Sequence, residues 1–105
     1  MKTKTVLLIS GLIGAALSGQ ALASEAIANK AGCLACHAID KKMVGPSYKD
    51  VAVKYKGQGD AVAKLSEKVR KGGQGAWGPI PMPAHPVRKI SDADLTAVVQ
   101  WILKS

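Results

Sequence analysis

Two thiols and an imidazole stand together in Cys33-Leu34-Ala35-Cys36-His37, and these are the only two cysteines of the chain. In a helical turn, residues three and four apart share a face. Cys33, Cys36 and His37 can therefore point to one side while Leu34 and Ala35 point elsewhere. Thiols so placed can add to the two vinyl groups of one porphyrin, and the imidazole can reach its iron as an axial ligand. Two other chemistries use cysteines at this spacing. A thioredoxin-type redox disulfide expects a strand-to-helix setting, and no strand pattern precedes Cys33. A zinc site needs four ligands, so adjacent Cys36 and His37 would have to share one ion with Cys33 and His85. Covalent attachment of one haem is the reading that the spacing supports.

A haem iron held by His37 has one further position, and its occupant decides the chemistry. Met82, His85 and Met43 are the candidates. Met82 sits in Pro79-Ile80-Pro81-Met82-Pro83, where the prolines fix φ and limit the conformations that could swing the sulfur away. Met43 follows His37 too closely to cross to the other haem face. Met82 is thus the expected second ligand, which closes the iron and suits one-electron transfer. The competing expectation is an open site with peroxidase-like or gas-binding activity, in which His85 would be the sole distal acid or base. No paired carboxylates, activated nucleophile or phosphate-cradling loop points to separate catalysis, so an electron-transfer protein is expected rather than an enzyme.

The elements that position these groups read as helices. Ser24 to Gly32 is rich in helix formers, with Ser24 as a cap, and is expected to deliver the cysteine motif as its last turn. Tyr48 to Lys56 places apolar residues at Tyr48, Val51, Ala52 and Tyr55. Asp60 is expected to cap a helix through Lys71 with Val62, Leu65, Ser66 and Val69 along one side. The stretch from Gly72 to Ile90 carries four of the five prolines and reads as a long stiff loop. Ser91-Asp92-Ala93-Asp94 opens a last helix in capping-box style, with Leu95, Val98, Val99 and Ile102 inward and Trp101 beside them. The expected architecture is all-α, three to five short helices wrapped on one haem.

The chain begins like an exported protein. Lys2 and Lys4 precede an apolar run from Val6 to Leu17, and Ala21-Leu22-Ala23 is a small-residue cleavage site, so residues 1–23 read as a secretory leader and 24–105 as one domain. The apolar run is shorter than the ~20 residues of a spanning helix and is interrupted by Ser10, Gly11 and Gly14. No stable membrane insertion is expected after cleavage. A domain of about 80 residues builds only a marginal core, and this one has no Phe. A covalently held porphyrin would supply the missing flat apolar surface. The formal net charge is +8, and only Lys2 and Lys4 leave with the leader. Export argues against nucleic acid as the basic chain's partner. Scattered lysines suit a solvated surface that steers encounters with acidic or complementary redox proteins in transient complexes.

The runs C-L-A-C-H-A-I-D-K-K-M-V-G-P-S-Y-K-D-V and Q-G-A-W-G-P-I-P-M-P resemble the small class I bacterial c-type cytochromes of the cytochrome c-551 family, over essentially all of residues 24–105. The resemblance implies the class I cytochrome c fold, a low-spin haem c ligated by His37 and Met82, and a monomeric periplasmic carrier of single electrons. In such relatives the donor is often a membrane cytochrome complex, and nitrite reductase or a terminal oxidase is among the acceptors; a haem subunit held in a larger redox complex is the neighbouring alternative. The resemblance also makes Pro46 the carbonyl that accepts from the second ring nitrogen of His37, and Trp77 the indole that donates to a haem propionate. Two positions depart from the family pattern. His85 replaces an Asn that contacts the ligand sulfur, and Lys68 replaces a frequent Arg, with Arg70 two residues on. One reading puts His85 near the Met82 sulfur and the haem edge, where its titration near ~6.5 would make the reduction potential depend on pH; the other leaves it a solvent-exposed loop histidine with no such role.

Overall fold

The computed structural model describes residues 15–105, and the first fourteen residues of the expected leader lie outside them. Four α-helices run in order: α1 (Ala15–Lys30), α2 (Tyr48–Lys54), α3 (Ala61–Lys71) and α4 (Asp92–Leu103). A short 3-10 turn, Cys33–Ala35, follows α1. No strand occurs among the described residues, and one isolated antiparallel pair joins Gly73 to Met82. None of their helices is long and apolar enough to cross a membrane.

The last helix is the hub: α1, α2 and α3 each pack against α4. Its inward residues Leu95, Val98, Val99 and Ile102 are all buried, as their spacing predicts. On the facing side α1 offers Ala28, fully buried, a side chain small enough to bring the two helix backbones close. Tyr48 and Val51 fill the space under α2. The apolar residues of α3, Val62, Leu65 and Val69, are only partly buried. Leu65 and Val69 pack against the core at one edge and also line a cavity.

Helix ends follow local chemistry with two departures from expectation. Ser47 and Ser91 cap α2 and α4, accepting from the backbone N–H of Asp50 at 3.1 Å and Asp94 at 3.2 Å. Asp60 precedes α3 without a side-chain cap bond. Its backbone is not in the extended conformation that turns a side chain back on the first turn, and its carboxylate meets Lys64 at 3.3 Å instead. Ser24 does not start a helix either. It lies inside α1, where its hydroxyl donates to the Ala97 carbonyl on α4 at 3.5 Å. Leu22 is 70% exposed and Ser24 6%, so α1 meets the rest of the fold from Ser24 onward.

One residue ties the long proline-rich loop to two helices. The Arg70 guanidinium on α3 donates to the carbonyls of His85 at 3.1 Å and Ile90 at 2.7 Å, and pairs with Asp92 at 2.6 Å. The carbonyl bonds are part-buried and charge-assisted, whereas Asp92 is 87% exposed, so the carbonyl bonds carry the stabilisation. Arg70→Gln is expected to lower the unfolding free energy by about 2 kcal/mol, against less than about 1 kcal/mol for Asp92→Asn. Urea titrations of the two variants check the order; equal losses would assign the effect to the ion pair.

Candidate functional site

The cysteine motif does not ride on the end of α1. Gly32 breaks the helix in the left-handed region, φ 87°, which a side chain would strain. Cys33–Ala35 then turn as a separate 3-10 unit, and the N–H of His37 reaches back to the Cys33 carbonyl at 3.0 Å. The tighter turn still brings Cys33, Cys36 and His37 to one cavity. Both thiols are unpaired, Cys33 buried and Cys36 half-buried.

The His37 ring is held on several sides. Its Nδ1 lies 2.8 Å from the Pro46 carbonyl. A carbonyl only accepts, so Nδ1 carries the proton and Nε2 keeps a free lone pair, the tautomer that a metal requires. Tyr48 stacks on the imidazole at 5.2 Å and 20°, and Trp101 meets Tyr48 edge-on at 5.5 Å. Trp101 thus braces the aromatic that braces the histidine. The backbone of Gly45 passes so close that an added Cβ would collide with the ring, 2.8 Å from Nδ1. The Gly45 N–H, in turn, donates to the Cys36 carbonyl at 2.8 Å.

Met82 reaches the same cavity from the proline-rich loop. Its N–H and carbonyl bond to Gly73 at 2.8 and 3.1 Å. Gly72, φ 68°, permits this approach, since a Cβ there would strike the Met82 carbonyl. Neither Met43, 42% exposed, nor His85 lines the cavity. The expected place of His85 at the haem edge is therefore corrected: its ring is turned into the protein, 6% exposed, with Nδ1 2.9 Å from the Pro83 carbonyl. The hydrogen bonds of the loop back to α3 cause this turn.

The cavity measures about 310 Å³, within the range of cofactor sites. Leu65, Val69, Leu95, Val98 and Ile102 form an apolar wall, with Lys68 and Trp77 also part of the lining. Trp77 is 41% exposed; the Lys54 ammonium sits 4.4 Å from its ring centre and donates to the Ala76 carbonyl at 3.1 Å. Arg70 is directed away, so Lys42 and Lys68 are the cations of the lining. A larger depression of about 460 Å³ opens between α2 and the chain end, but no Cys, His or Met borders it. Two thiols, an imidazole with a free Nε2 and a thioether converge only on the smaller, apolar cavity, and that donor set fits a covalently held haem.

Burial raises the pKa of the Cys33 thiol and of the Tyr48 phenol, the latter with smaller contributions from Cys33. Both groups are thereby kept neutral beside the motif. Tyr48, Gly45 and Gly72 shape the surroundings of the cavity, although the sequence marks Tyr48 only as an apolar helix position and Gly72 only as the start of the loop.

Comparison with known proteins places these features in context. A model of the cytochrome c family matches residues 18–105. The chain is similar to cytochrome c-551 of Pseudomonas aeruginosa, 54% identical over 72 residues, which are 69% of this chain and 66% of that protein. It is also similar to cytochrome c2 of Rubrivivax gelatinosus, 53% identical over 74% of this chain and 92% of that protein. Among solved structures, Nitrosomonas europaea cytochrome c552 superposes with a TM-score of 0.70 at 45% identity, covering 76% of this chain and 96% of that one.

The buried phenol predicts an alkaline limit. An unfolded tyrosine ionises near about 10, whereas Tyr48 in the fold holds its proton to higher pH. Above pH ~10 the folded state therefore binds more protons than the unfolded one, and stability falls as pH rises. The contribution is fully present below that pH and is lost above it. Unfolding free energies at pH 9 and 11 are expected to drop more steeply for the parent than for Tyr48→Phe; parallel losses would contradict the assignment.

Proposed function

Because the chain belongs to the cytochrome c family, we propose that it is a one-electron carrier whose iron is closed by His37 and Met82. Cys33 and Cys36 hold one haem c covalently, and the helical fold is that of the class I cytochromes. The haem supplies an iron that gains and loses one electron. The observation that carries the reading is the convergence of His37, its Nδ1 engaged by Pro46, and Met82, its backbone pinned by Gly73, on one apolar cavity.

The residues divide the work. Pro46 fixes the tautomer and orientation of His37 and, through the shared proton, its strength as a ligand. The proline-rich segment holds the Met82 sulfur with little freedom to lose or regain, which keeps the rearrangement between oxidation states small. Trp77, a donor-only indole at the cavity wall, would be the group to donate to a propionate of the cofactor. The apolar wall excludes water and favours the iron form of lower charge, raising the potential.

The finer assignments rest on composition and chemistry. Residues 1–23 serve as an export leader, supported by the basic start, the apolar run and the exposure of Leu22 beside buried Ser24. The mature monomer works in the periplasm and is not itself an enzyme. Its partners are acidic or complementary redox proteins met in transient complexes, since scattered lysines favour encounter over residence. Electron delivery towards a nitrite reductase or terminal oxidase is what the resemblance to the cytochrome c-551 family implies.

The ferric optical spectrum tests the ligand pair. The holoprotein is expected to be low-spin with the weak methionine-to-iron charge-transfer band. Met82→Ala is expected to abolish that band, bind added cyanide at once and lower the reduction potential, while Met43→Ala keeps the parent spectrum. A high-spin parent that takes up cyanide directly would overturn the carrier and favour an open-site haem protein.

A further inference from the structure

The methionine segment has few means of holding itself. In Pro79-Ile80-Pro81-Met82-Pro83 three residues lack an N–H, so its restraint must come from donors elsewhere. Met82 obtains it from Gly73 on one side. On the other side stands His85, which makes three contacts at once. Its ring Nδ1 lies 2.9 Å from the Pro83 carbonyl, its N–H donates to the Val69 carbonyl at 2.9 Å, and its own carbonyl accepts from Arg70 at 3.1 Å. The Pro83 carbonyl can only accept, so the ring bonds as the Nδ1–H tautomer. The residue is 6% exposed, so water does not readily replace that bond. Its second anchor lies on α3, whose Leu65, Lys68 and Val69 line the cavity.

Resting on Met82 as the second iron ligand, we infer that His85 is a positioning residue for Met82, acting through the Pro83 carbonyl from outside the cavity. The ring ties the residue after the ligand to α3, as Gly73 ties the ligand itself. Met82 is thereby held at two successive carbonyls, which fixes the backbone from which the flexible thioether reaches into the cavity. His85 touches neither the cavity nor the sulfur, and its effect is on how often Met82 leaves the iron.

Added imidazole probes that frequency, because it binds ferric iron only when Met82 has left, and its apparent affinity scales with the open fraction. His85→Leu removes the donor at similar bulk and is expected to tighten imidazole binding about fivefold. His85→Asn carries an amide nitrogen in the place of Nδ1 and is expected to stay within about twofold of the parent. An unchanged affinity in His85→Leu, or equal tightening in both variants, would overturn the role. A measurement on the unaltered protein stands beside these: nitrogen chemical shifts of His85 in the reduced, diamagnetic state are expected to report the Nδ1–H tautomer, and the Nε2–H tautomer would overturn the inference. The parent spectrum separates this from the ligand assignment. A parent without the methionine band would overturn both, whereas a parent with the band and an indifferent His85→Leu would overturn the positioning role alone.

Discussion

The polypeptide does not complete its own core. Helices α1, α2 and α4 close on one another, but between α3 and α4 the apolar side chains of Leu65, Val69, Leu95 and Val98 border a cavity. The chain has no Phe, and Tyr48 and Trp77 border the space without filling it; leaving such surface wet forfeits roughly 25 cal/mol for each Å². Occupation by the porphyrin that Cys33 and Cys36 hold turns this wall into interior. The requirement of the fold and the requirement of the chemistry are one requirement, since the surface that needs covering is also the dry surround an electron-transfer iron needs.

Around that cavity the two side chains proposed as ligands are restrained by different means. His37 is fixed from its ring outward, by the Pro46 carbonyl, the Tyr48 face and the Gly45 backbone. Met82 is a flexible thioether that offers no ring to grip, so its backbone is fixed instead, through Gly73 and the prolines. Glycine serves both sides by absence of a side chain: Gly45 lets the chain approach an imidazole, and Gly72 lets α3 end against the methionine segment.

Much of this was legible in the residues. The Cys33, Cys36 and His37 spacing located the attachment turn, the apolar periodicity marked α3 and α4, and the prolines around Met82 marked the stiff loop. What escaped was whatever depends on partners distant in sequence. Ser24 has the look of a cap, yet its hydroxyl bonds Ala97 and the helix runs through it. Asp60 has the look of a cap, yet its carboxylate turns to Lys64. His85 lies three residues after Met82, which suggested the haem edge, and hydrogen bonds to α3 and Pro83 rotate it inward. Arg70 stood out in the sequence only as a guanidinium two residues beyond Lys68, because nothing local reveals that two loop carbonyls will meet it.

The docking of α1 on α4 joins residues as far apart as Ser24 and Ala97, and the cavity wall runs from Cys33 to Ile102. Forming it means closing nearly the whole chain into a loop, an entropic cost that must be met before most of the contacts that reward it exist. A porphyrin tethered at Cys33 and Cys36 before the helices dock would change that order of events. It would give the segment around the cysteines a hydrophobic nucleus of its own, onto which the later helices could collapse one at a time. Attachment ahead of α2, α3 and α4 in the sequence would then let the cofactor serve as a folding template for the pocket that encloses it.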